Sequence, residues 1–233
     1  MSDKVESYAT SQEHSPQNSF LDGPDLLRGV TRFWLVRHAL VKENARVCLY
    51  GNMDVPLCPD SLIAQRPMYS ALAKRLPHPA HWFVSPLSRT RGTARAIMDS
   101  GYGDTPLIEE VNFIEQNLGC WQGIHYTNLR PHLTLPPHPF WAVDETECPP
   151  DGESMIHVCA RVSRLLNKLA LTYAGQDMVA ITHGGVIRAA LAHALHIHVG
   201  TALRFSVQNL SLTILEHLSA GWRVVTVNEL PGV

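Results

Sequence analysis

The sequence predicts an α/β fold, a three-layer α/β/α sandwich on a mostly parallel central sheet. Three short apolar runs carry that prediction: Phe33 to Val36, Trp82 to Val84 and Met178 to Thr182. None alternates with polar residues, which suits strands buried on both faces of a parallel sheet. Segments with helical spacing lie between them, and alternating strands and helices imply parallel pairing. The chain has 233 residues, 45% of them apolar, enough for one large domain with a real core.

Residues 1–28 are polar and rich in Ser, Gln, Asp and Glu, and are expected to form a disordered tail before a single domain over 29–233. The first strand runs into Arg37 and His38, then an irregular stretch full of turn formers. A helix is expected over 62–76, capped by Asp60 or Ser61, with Pro67 marking its first turns or a kink. The second run ends in Ser85-Pro86 and leads to a helix over 88–98 with Thr90, Ala94 and Ile97 inward. Arg89, Arg91 and Arg95 sit near its start, where cations oppose the helix dipole unless an anion is present. For Arg91 and Arg95 a solvated surface position is an equal expectation.

Glu115 stands beside Phe113, Ile114 and Leu118, an apolar setting that suits a carboxyl exchanging protons near neutrality, although from this stretch alone an ordinary surface carboxylate is the stronger expectation. Residues 123–150 are rich in Pro and His, include Phe140 and Trp141, and lack periodicity, which predicts a packed lid. A helix over 154–171 follows, with Ile156, Cys159, Val162, Leu166 and Leu169 at inward spacing. The third run ends in His183-Gly184-Gly185, where a helix opens with a core face from Val186 to Leu195. Segments 203–215 and 222–227 read as a closing hairpin joined near Ala220-Gly221.

Composition narrows the partners. A net charge of −2 gives no reason to expect nucleic acid, and no apolar run reaches the ~20 residues of a membrane span. Five widely spaced cysteines without a CxxC, and no signal-peptide pattern, predict reduced thiols and a cytoplasmic location. His193, His196 and His198 lack companion carboxylates or thiolates and read as helix-end histidines, so no metal and no cofactor is expected. The C-terminal strands leave room for a homodimer.

In a parallel sheet the three strand ends share one rim, gathering Arg37, His38, Arg89, His183 and the amides after Gly184. Such a cluster demands an anion. Phosphate fits best, because guanidinium offers forked donors and helix N-termini bind phosphate.

Six stretches in this order, LVRHA, GNMDVPLC, SPLSRTRGTA, IEQNLGCWQG, DGES and THGGVIR, resemble the histidine phosphatase superfamily in its phosphoglycerate-mutase-like branch, which includes α-ribazole phosphatases. The resemblance spans about residues 31–228. It implies a phosphoglycerate-mutase-like fold with His38 as nucleophile and Arg37, Arg89 and a protonated His183 around the phosphate. It further implies Glu115 as proton donor and Asn44, Gly51 and Gly184 as substrate contacts. The expected activity is metal-independent hydrolysis of a small phosphate monoester through phosphohistidine. A phosphoglycerate-mutase-type phosphotransferase or an inactive phospho-ligand-binding protein is the alternative. The chain departs from the family's frequent RHGE[TS] at Ala39, Leu40 and Val41, which replaces polar substrate contacts with apolar ones.

Overall fold

The computed structural model describes residues 28–232, so most of the predicted tail lies outside the described residues. Six strands form one sheet in the order β3-β2-β4-β1-β5-β6. The strands are β1 (Thr31–Arg37), β2 (His81–Val84), β3 (Leu107–Glu109), β4 (Asp177–Thr182), β5 (Leu212–Leu218) and β6 (Gly221–Glu229). β1, β2, β3 and β4 pair in parallel, whereas β5 and β6 run antiparallel, so the sheet is mixed.

The helices are α1 (Glu43–Arg46), α2 (Pro59–Ala64), α3 (Arg66–Arg75), α4 (Ser88–Ile97), α5 (Met155–Thr172), α6 (Gly184–Leu195) and α7 (Val199–Ala202). The two-residue alternation of each strand sends side chains to opposite faces. Phe33, Leu35, Phe83 and Ala180 pack against α5 and α6. Trp34, Val36, Val84 and Ile181 pack against α3 and α4 on the other side. This gives the three-layer sandwich. Among the described residues, no helix is long and apolar enough to cross a membrane.

Several expectations need correction. The helix expected over 62–76 is two helices, broken at Gln65, because Pro67 takes an early position in α3 where its missing N–H costs nothing. Its cap is not Asp60 or Ser61: Cys58 precedes Pro59 at the start of α2. The short edge strand β3 was not foreseen. Residues 203–211 are not strand, since Leu203, Val207 and Leu210 are buried from a loop and β5 begins only at Leu212. Ile156 and Leu195 are exposed, and Met155, Val158 and Leu165 fill the inward positions of α5 instead. Ser154 caps α5 by accepting from the His157 amide, while the His157 ring accepts from the Ser154 amide.

Candidate active site

Register decides where the site lies. Arg37 faces Thr182 across β1 and β4, and Val84 faces Ile181 across β2 and β4. Three strands thus stop at one rim, and the residues just past them meet. The His38 and His183 rings lie edge to face with centroids 5.1 Å apart. The Arg89 Nε donates to His183 Nδ1 at 3.4 Å. Glu115 reaches the same rim by accepting from the Gly185 amide at 3.1 Å and the Gln116 amide at 3.0 Å.

His38 is buried and fixed by backbone. Its N–H bonds to Thr182 O at 2.9 Å, and Asn209 Nδ2 donates to its carbonyl at 2.7 Å. Its Nδ1 lies 2.7 Å from Ala39 O. A carbonyl only accepts, so Nδ1 carries the proton and Nε2 keeps its lone pair. Burial, and then the charges of Arg89 and Arg37, hold His38 well below its ordinary 6.5. The imidazole is therefore neutral at pH 7.

The two arginines are held differently. Arg89 is fully buried and donates to Met53 O at 2.6 Å and Gly51 O at 2.7 Å, so it also braces the loop carrying Gly51. Arg37 Nη1 donates to Val207 O at 2.6 Å, but its buried Nε has no acceptor among the described residues. A buried charged donor without a partner is costly, and an anion at this point relieves it.

The sequence expects a protonated His183 around the phosphate, and without an anion the ring is in a different state. Complete burial, followed by Arg89, His38 and Arg37, keeps His183 well below 6.5 in the free protein. It is neutral, accepting from Arg89 at Nδ1 and donating from Nε2 to Ser85 Oγ at 2.8 Å. Ser85 was noted only as the end of a strand.

A cavity of about 360 Å³ opens over this rim, with Arg37, Glu115, Gly51 and Gly184 in its wall. Asn44 is not there. It is exposed on α1 and lines a neighbouring depression with Lys42 and Pro56. The short α1 turns it outward, so the structure shows no phosphate contact for it. Arg91 and Arg95 lie on the surface, paired with Glu109 and Asp104.

The segment 123–150 folds over the cavity as short turns, Tyr126–Asn128 and Arg130–His132 among them. It is anchored by Leu129 and Val143, which pack with Leu49, Leu118 and Trp121. Buried Glu147 accepts from the Thr134 amide and hydroxyl. Trp141 lines the cavity and donates to Gln116 Oε1 at 3.3 Å. Two residues escaped the sequence reading. Asn209 comes from a loop without pattern, and Arg188 lies one helical turn beyond Gly184, a spacing that puts both on one helix face.

The sequence model of the histidine phosphatase superfamily (branch 1) matches residues 33–230. The chain belongs to this superfamily. It is 26% identical over 178 residues to the adenosylcobalamin/α-ribazole phosphatase of Salmonella typhimurium, covering 76% of this chain and 86% of that one. It is 31% identical over 159 residues to a 2,3-bisphosphoglycerate-dependent phosphoglycerate mutase of Rhizobium etli, covering 66% of this chain and 75% of the relative. A mycobacterial glucosyl-3-phosphoglycerate phosphatase solved in complex with VO3 superposes with a TM-score of 0.71 at 25% identity, covering 87% and 99% of the two chains.

Proposed function

We propose that the protein is a phosphatase that hydrolyses a small phosphate monoester through a phosphohistidine on His38. The observation that carries this reading is the His38 ring, whose Nε2 lone pair is left free by the Ala39 carbonyl and unprotonated by burial beside two guanidiniums. Nε2 attacks phosphorus in line with the leaving oxygen. Arg37, with its unpartnered Nε, and Arg89 stabilise the equatorial oxygens. Preorganised charge of this kind is commonly the largest catalytic contribution. Glu115 gives its proton to the leaving oxygen as the P–O bond breaks, and the alcohol departs. The same carboxylate then takes a proton from water, whose oxygen attacks the phosphohistidine and releases inorganic phosphate and neutral His38.

The cavity wall supports a leaving group with an apolar or aromatic part. Tyr50, Leu118, Tyr126, Trp141 and Val143 line it, and Leu40 and Val41 stand where the family carries polar contacts. Gln116, Asn117 and Leu118 after Glu115 add no positive charge for a small triose acid, which favours hydrolysis over mutase transfer. The five cysteines are free, in keeping with a reducing compartment.

Phosphate release from phenyl phosphate tests the proposal, alongside an alkaline detergent quench with labelled substrate. Wild type should yield acid-labile label on the protein, and His38→Ala should yield neither label nor turnover. Undiminished release by His38→Ala overturns the nucleophile assignment.

A further inference from the structure

Arg188 is a charge in the cavity that the reaction above does not use. Its Nε donates to Phe205 O at 3.0 Å and its Nη1 to Gly184 O at 3.1 Å. Its Cζ lies over the Trp141 ring, 5.2 Å from the centroid. No carboxylate is within ion-pair distance of it among the described residues, and its Nη2 has no protein acceptor there. Arg37 is its close neighbour: a Cβ on Gly184 would lie 3.0 Å from Arg188 Nη1 and 3.5 Å from Arg37 Nε. Burial, and next the Arg37 charge, lower Arg188 to about 10. Two guanidiniums thus line one cavity, in which Glu115 is the single carboxylate among the described residues.

Position separates their roles. Arg89 touches His183 and Arg37 directly precedes His38, whereas Arg188 reaches the Trp141 ring of the 123–150 segment. The reacting phosphoryl group therefore takes Arg37 and Arg89, while Glu115 is committed to proton transfer. Arg188 remains, in the cavity wall beside the Trp141 indole.

We propose that Arg188, held over the Trp141 ring, is the specificity-determining residue of this site and reads an oxyanion, a carboxylate, on an aromatic leaving group. This rests on the phosphatase reading. The aromatic wall takes the ring, and the open nitrogen of Arg188 takes the acid. Guanidinium on indole is preorganised, so little side-chain freedom is lost on binding.

The test compares kcat/KM for phenyl phosphate with those for 2-, 3- and 4-carboxyphenyl phosphate. At least one carboxylated isomer should exceed phenyl phosphate about ten- to a hundredfold, the range a charge-assisted hydrogen bond supplies. In Arg188→Met that ratio should fall toward one, and Arg188→Lys should keep part of it. Absence of any preference in wild type overturns the proposal. So does an equal loss on all four substrates in Arg188→Met, which would assign Arg188 to the reacting phosphate or to folding. Calorimetry with the three hydroxybenzoates against phenol reads the same subsite without turnover. If phenyl phosphate is not hydrolysed, the phosphatase reading fails alone where a hydroxybenzoate binds wild type and not Arg188→Met. Binding indifferent to that substitution sinks the acid subsite too.

Discussion

Gly185→Ala isolates the contribution of Glu115 with one methyl group. Gly185 is the second residue of α6 in ordinary helical backbone, where alanine is favoured over glycine by about 1 kcal/mol. The new Cβ would lie 2.4 Å from Glu115 Oε1 and 3.2 Å from its Cδ. Ordinary contact begins near 3.4 Å, so the oxygen must retreat by about 1 Å. The obstructing atom is the end of a flexible side chain, so the helix tolerates the change and stability should stay within about 1 kcal/mol. The carboxyl, however, leaves the position from which the proposed mechanism has it protonate the leaving oxygen. A displacement of about 1 Å costs on the order of a hundredfold in rate, or about 2.7 kcal/mol in barrier. The assay is a leaving-group series from nitrophenyl phosphate to an alkyl phosphate. A good leaving group needs little help from an acid, so the loss in kcat should be small for nitrophenyl phosphate and near a hundredfold for the alkyl ester. Equal losses across the series would refute the assignment of Glu115 as acid.

Two further outcomes concern stability. His38 and His183 are both held well below 6.5, so between their folded values and 6.5 the unfolded chain binds protons that the folded chain does not. Their contribution is complete above pH 6.5 and is lost as pH falls below it, by up to about 1.4 kcal/mol per pH unit for each histidine. Urea unfolding at pH 7.5 and 5.5 should show this loss and a shallower one in His38→Asn; the same slope in both proteins would contradict the buried neutral pair. Gly119→Ala places a Cβ 2.0 Å from Pro150 O at a residue with φ of +49°, where neither backbone can give way. It should cost about 3 kcal/mol in urea unfolding, and a loss below about 1 kcal/mol would mean that this turn does not clamp the lid base.

The strands that build the site were legible because burial on both faces leaves an uninterrupted apolar run. β1, β2 and β4 each show one, and the residues after them were found by position alone. β3 was illegible because it is three residues long at the sheet edge, with Ile108 and Glu109 exposed. The start of β5 was misread because Leu203, Val207 and Leu210 are as apolar as strand residues while packing from a loop. Within the site, the neutral state of His183 in the free protein was not legible, since composition does not reveal its complete burial beside Arg89. Arg188 and Asn209 depend on a helical turn and an aperiodic loop meeting β1, which no local pattern records.

The bond from His38 to the Ala39 carbonyl has a consequence for how this protein can vary. The group that sets the tautomer of His38, the proposed nucleophile, belongs to the peptide chain, so no side-chain exchange can delete it. Residue 39 is accordingly free to differ from the family's usual glycine, within the space its buried methyl allows. Only a shift of the main chain itself can unseat the ring, and Asn209 and Thr93 pin that main chain on either side of the bond.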